Sequence, residues 1–143
     1  MHYLNSHSDI KLTAIHINHG ISNQSKKWEK HCSDFCKQNK INIICESIKI
    51  EENKSIESEA RRLRIETFKN IVPTSAYLVL AHHLDDRVET LLYRLFRGTG
   101  IKGLSTFSEQ TKLGTLNIIR PFIKVEKSEI LNYLNEYNLT YIE

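Results

Sequence analysis

Short β-rich runs alternate with amphipathic stretches along the whole chain, and this alternation restricts the fold more than any other property of the sequence. Residues 12–18 (LTAIHIN) and 41–50 (INIICESIKI) are rich in β-branched residues, and 76–81 (AYLVLA) is an apolar run short enough for a strand buried on both faces. Between these runs the apolar period becomes helical. Trp28, Cys32, Phe35 and Cys36 recur at helical spacing over 26–40, and Ile56, Ala60, Leu63, Thr67, Phe68 and Ile71 do so between Ser55 and the stop at Pro73. Val88, Leu91, Leu92, Leu95 and Phe96 mark a further helix ended by Gly98 and Gly100. Leu116–Ile119 reads as another strand, and Ile130, Leu131, Leu134 and Tyr137 mark a last helix over 127–137. Such an order predicts a parallel α/β sheet with right-handed crossovers and with ligands at the carboxyl ends of its strands.

At 143 residues, with 40% hydrophobic and 26% charged residues, five Gly and two Pro, the chain is expected to form one globular domain and not a disordered or fibrous one. A net charge of +3 is compatible with nucleic-acid binding without announcing it. The opening MHYLNSHSDIK has no apolar signal core, and no run of about 18 apolar residues occurs, so a cytoplasmic protein away from membranes is expected. The odd count of three cysteines argues against a disulfide framework. Cys32 and Cys36 beside His31 raise a zinc reading, but a second ligand pair at matching spacing is lacking, and free thiols are expected.

Two polar clusters fall where strand ends belong: His16-Ile17-Asn18-His19-Gly20 after the first β run, and His82 to Glu89 after the third. Imidazoles and carboxylates delivered together at a helix start make a ligand crevice. Bland readings compete for each residue. Asp86 followed by Glu89 resembles an N-cap with its capping-box partner, His82 and His83 suit half-buried histidines, and Arg61, Arg62 and Arg64 suit a solvated helix face.

The joint pattern resembles a known family. Ala81-His82-His83-x-Asp85-Asp86-x-x-Glu89-Thr90, followed by Arg97-Gly98-x-Gly100-x-x-Gly103-Leu104, is similar to the signature segment of tRNA(Ile)-lysidine synthases. His16-x-Asn18-His19-Gly20-Ile21-Ser22, Trp28-x-x-His31-Cys32, Glu59-Ala60-Arg61-x-x-Arg64, Arg120-Pro121 and the Glu129-Ile130 helix continue the likeness in order and spacing. The resemblance implies a Rossmann-like N-type ATP pyrophosphatase (PP-loop) fold, with helices on both faces of the sheet. It implies that ATP, with Mg2+, adenylates the wobble cytidine of an isoleucine tRNA with a CAU anticodon and that L-lysine displaces AMP to form lysidine. Asp86 and Glu89 are then expected to recognise lysine, since carboxylates one turn apart clamp a cation. His82, His83 and Asp85 would line the nucleotide pocket, with His16 and Asn18 on the adenosine side. Arg61, Arg64 and Arg97 would meet triphosphate or tRNA phosphates. No metal-ligand set held by protein side chains alone is expected, and a homodimer is left open.

The sequence also departs from the family pattern. The family's Ser-Gly-Gly-x-Asp-Ser loop does not occur, residues 1–11 contain no glycine, and the chain stops at Tyr141-Ile142-Glu143. Residues 1–143 are therefore expected to be part of an N-terminal catalytic domain lacking its first, loop-bearing strand and the appended C-terminal tRNA-binding domains. Because that strand is central in the family's sheet, its loss would expose two edges. The polypeptide alone is expected to be marginally stable and without ATP turnover. Three alternatives stay open: a tRNA 2-thiolation enzyme of the same fold, disfavoured by the Cys-x-x-x-Cys spacing; a metal-dependent phosphohydrolase using His16, His19, His82, His83, Asp85 and Asp86; and a nonenzymatic remnant or RNA-binding fragment.

Overall fold

The computed structural model describes residues 1–7, 10–20, 22–49, 56–100 and 108–142. A short helix, α1 (His2–His7), precedes the first strand, β1 (Thr13–Asn18). β1 pairs in parallel with β2 (Asn42–Ser47), Thr13 opposite Asn42 and Asn18 opposite Ser47. Parallel neighbours cannot be joined by a tight turn. The crossover is α2 (Ser25–Gln38), whose apolar stripe buries Cys36 completely, with Ile41 only 6% exposed just beyond the helix. α2 ends through Lys40 at φ 55°, and the Ile41 N–H returns to the Cys36 carbonyl at 2.8 Å, the bond that satisfies an orphan carbonyl of the last turn. α3 (Ile56–Ile71) follows. The chain divides into two compact units, Met1–Phe68 and Lys69–Glu143.

In the second unit β3 (Tyr77–Val79) leads to α4 (Leu84–Phe96), and after it come β4 (Gln110–Leu113), β5 (Leu116–Ile119) and α5 (Lys127–Glu136). The sheet order is β3-β5-β4, with β3 parallel and β4 antiparallel to β5. Gly114, at φ 62°, takes the left-handed position of the tight turn between β4 and β5. Leu78, Leu116, Ile118 and Ile123 form the buried apolar centre of this unit. α4 and α5 end as α2 does: Gly98 and Asn138 adopt positive φ, and Thr99 and Leu139 donate to the Arg94 and Leu134 carbonyls.

The alternating parallel α/β order expected from the sequence is present, and its hydrogen-bonded ladders fall into two sheets. The third β run is shorter than expected. Instead of a strand buried on both faces, β3 buries Leu78 and leaves Tyr77 66% and Val79 39% exposed, because successive side chains point to opposite faces and only one is covered. β4 was not legible in the sequence. Expectations resting on Ile21, Ile50, the polar run 51–54, Ser55, Gly103 and Leu104 lie outside the described residues. Among the described residues no helix is long and apolar enough to cross a membrane.

Candidate functional site

In the first unit, residues two apart on β1 share a face, so His16 and Asn18 project together. Asn18 is engaged locally at both ends of its amide. Its Nδ2 donates to Glu29 Oε2 on α2 at 2.9 Å, and its Oδ1 accepts the Gly20 N–H at 2.9 Å, closing a turn in which Gly20 takes φ 66°. Asn18 thus shapes the loop that displays His19. The His19 Nδ1 is buried without a hydrogen-bond partner, and burial, with the Arg64 guanidinium and the His16 ring adding to it, holds the imidazole below the usual histidine range.

The α3 arginines divide by role. Arg62 grips the buried Glu59 carboxylate with Nε (3.0 Å) and Nη2 (2.7 Å) and reaches Glu66 with Nη1 (2.9 Å). Arg61 and Arg64 have no carboxylate partner among the described residues, and partial burial together with Arg61 lowers the Arg64 pKa. A neutral imidazole with an unused ring nitrogen, set near arginines that no carboxylate neutralises, has the composition of an anion site.

In the second unit, β3 runs into half-buried His82 and His83, and His83 is the extended N-cap of α4 (φ −112°, ψ −177°). Asp86 Oδ2 accepts the His83 backbone N–H at 2.8 Å. This corrects the cap register read from the sequence. Asp86 is the third helical residue and not the N-cap, because α4 begins at Leu84, whose N–H donates to the Val125 carbonyl at 2.9 Å. Both Asp85 and Asp86 therefore fall in the first turn, where the helix dipole favours negative charge. The His83 ring lies 3.6 Å from Asp86 Oδ2 and 4.0 Å from Asp85 Oδ1.

Glu89 lies outside the cap, exposed and with no hydrogen-bond or ion-pair partner among the described residues. Asp86 and Glu89, one turn apart, stand on neighbouring positions of α4 as the sequence spacing implied. Arg97 is not brought to them. It follows the far end of α4, about 17 Å along the axis from Asp86, where Nη1 donates to the Tyr93 hydroxyl at 2.7 Å and the guanidinium lies 5.0 Å from the ring centroid.

Cys32, Cys36 and Cys45 are free thiols. Burial pushes the Cys32 and Cys36 thiols up, which keeps them protonated and poor ligands. Among the described residues no group of three His, Cys, Asp or Glu side chains that could hold a metal ion is found. Sequence reasoning placed His19 in the first strand-end cluster and named it singly only as a metal ligand; its unused Nδ1 depends on packing and leaves no mark in the sequence.

The whole chain, residues 1–143, matches the PP-loop domain family, and the chain belongs to that family. It is similar to proteins named tRNA(Ile)-lysidine synthase. That of Buchnera aphidicola subsp. Schizaphis graminum is 44% identical over 134 residues, 94% of this chain and 30% of the relative. Those of Legionella pneumophila (strain Lens) and Haemophilus influenzae (strain ATCC 51907 / DSM 11121 / KW20 / Rd) are 38% and 37% identical, each over 93% of this chain and 31% of the relative. The chain thus spans less than a third of these relatives. The solved structure of the U34-tRNA thiolase NcsA from Methanococcus maripaludis with its 4Fe–4S cluster superposes with a TM-score of 0.78, covering 99% of this chain and 51% of that one at 19% identity, a likeness of fold.

Proposed function

We propose that this chain is the ATP-using part of an enzyme that ligates lysine to the wobble cytidine of an isoleucine tRNA with a CAU anticodon, through an adenylated tRNA intermediate, giving lysidine, AMP and pyrophosphate. The reading rests on the first turns of α4. A cationic amine needs carboxylates that the fold leaves accessible, and Glu89 with the unused Oδ1 of Asp86 supplies them beside the His83 ring. The relatives named for this activity support it.

ATP fits the first unit through the unused His19 Nδ1, with Arg61 and Arg64 as phosphate donors. In this reading those side chains are phosphate-holding groups among the described residues. Mg2+ would enter with the phosphates, as it does where few protein ligands are present. The role of Asp86 and Glu89 is to bind the lysine ammonium groups and hold the attacking amine in place; that of the α3 arginines is to hold phosphate charge. tRNA, lysine and a second copy of the chain are the partners this reading names.

Titration of the isotope-labelled chain with L-lysine and with norleucine, an analogue that lacks the side-chain ammonium, tests the reading. Lysine is expected to shift the amide resonances of Asp86 and Glu89 while norleucine does not. Equal responses, or none, would remove the basis for lysine recognition. The thiolase fold neighbour motivates a control: sulfur incorporated into tRNA in place of lysine would transfer the chain to thiolation.

A further inference from the structure

The two acidic residues that open α4 do different work. Asp86 turns its Oδ2 back on its own helix, accepting the His83 N–H at 2.8 Å. Asp85 reaches outward, and its Oδ1 accepts the backbone N–H of Lys127 at 3.3 Å. Beside that bond, Leu84 donates its N–H to the Val125 carbonyl at 2.9 Å. Residues 84–85 and 125–127 are therefore joined by a pair of hydrogen bonds, one in each direction across the junction. Lys127 is the first residue of α5, so its N–H has no acceptor inside its own helix. The N-cap N–H just before it is already served, since Glu129 Oε1 accepts the Glu126 N–H at 3.1 Å. Without Asp85 the Lys127 donor would turn to solvent, and of this pair the Leu84 bond would remain. The same Oδ1 stands 4.0 Å from the His83 ring, so its position also bounds where that ring sits.

We propose that Asp85 is a positioning residue, which acts through the Lys127 amide to hold the entry of α5 against the first turn of α4 and so sets the place of His83 and Asp86, and which contacts no ligand itself. The proposal replaces the nucleotide-pocket role expected of Asp85 from the sequence. It rests on the reading above only for what His83 and Asp86 bind; the bond it invokes exists without substrate. The chemistry required of Asp85 is first an acceptor oxygen, which asparagine keeps and alanine does not; its charge adds the smaller helix-dipole share.

Amide hydrogen exchange of the full 143-residue chain, read at Leu84, tests this. Asp85→Ala is expected to speed Leu84 exchange by roughly fivefold to tenfold, the effect of losing one ordinary hydrogen bond, as suits a 3.3 Å contact at an exposed site. Lys127→Pro removes the donor from the other side. Proline is well tolerated at the first helical position, and Glu126 already has the extended backbone it requires (φ −74°, ψ 149°). The double variant should match either single one, because both remove the same bond. Asp85→Asn should keep lysine affinity as in the parent chain and speed Leu84 exchange by clearly less than Asp85→Ala does, since the acceptor stays and only the charge at the start of α4 is lost. If Asp85→Ala fails to fold, the asparagine and proline variants carry the decision. Additive effects in the double variant, exchange in Asp85→Asn as fast as in Asp85→Ala, or weakened lysine binding in Asp85→Asn would overturn the proposal. Should lysine not bind the parent chain at all, the exchange results still decide the role of Asp85, so the two readings fail separately.

Discussion

Replacing Glu89 by glutamine and Asp86 by alanine separates ligand recognition from helix integrity. Glu89 is exposed and makes no bond within the described structure, so Glu89→Gln should change stability by less than about 0.5 kcal/mol, as surface substitutions do. Asp86 accepts the His83 N–H at 2.8 Å and places a negative charge in the first turn of α4. Losing a cap interaction and its favourable place in the helix dipole costs about 1–2 kcal/mol. In a chain of this size that lowers Tm by about 3–8 °C. For lysine binding the order reverses in specificity. Glu89→Gln should weaken lysine about tenfold or more, the worth of one charge-assisted bond, while Asp86→Ala loses affinity and stability together. Thermal unfolding followed by circular dichroism gives the first quantity and calorimetric lysine titration the second. A Glu89→Gln chain that binds lysine normally, or one that melts as early as Asp86→Ala, would refute the division of roles.

Further outcomes follow from the same geometry. Because the folded-state pKa of His19 is held below the unfolded value, the unfolded chain takes up the proton first; stability is complete above about pH 6.5 and declines as pH falls through that value toward the folded one. Urea midpoints at pH 7.5 and pH 5.5 should show this loss, and His19→Gln should reduce it; an unchanged difference would place its origin elsewhere. Pyrophosphate bound near His19 and Arg64 should raise the His19 pKa by offsetting the cationic surroundings, and an imidazole resonance that titrates identically with and without pyrophosphate would count against the anion site. Leu116→Ala, at a side chain 1% exposed, should destabilise the chain by about 2–5 kcal/mol. Gly20→Ala meets no neighbouring atom but must adopt φ 66°, so it should cost about 1 kcal/mol, read as a shifted urea midpoint.

Periodicity and punctuation made much of the fold legible. The helical spacing of Ile56, Ala60, Leu63 and Phe68 and the stop at Pro73 correspond to α3, and Gly98 marks the end of α4, because these signals act through the local backbone and the side chains one turn away. The alternating order required parallel pairing, and β1 with β2 and β3 with β5 are parallel. β4 was hidden because Gln110–Leu113 has little apolar content, and its pairing with β5 supplies what its own residues lack.

The sequence by itself determined which chemistry is present: imidazoles and carboxylates at strand ends, arginines on α3, and a motif spacing that led to the PP-loop family. Tertiary structure decided which of those groups are already spent. Arg62 is committed to Glu59 and Glu66, Asn18 to Glu29 and Gly20, Asp85 to Lys127 and one oxygen of Asp86 to the His83 N–H, whereas the other Asp86 oxygen, Glu89, Arg61 and Arg64 are left unpaired among the described residues. A hydrogen bond depends on where the partner lies in space. For Asp85 that partner is 42 positions away along the chain, a separation that no local pattern encodes.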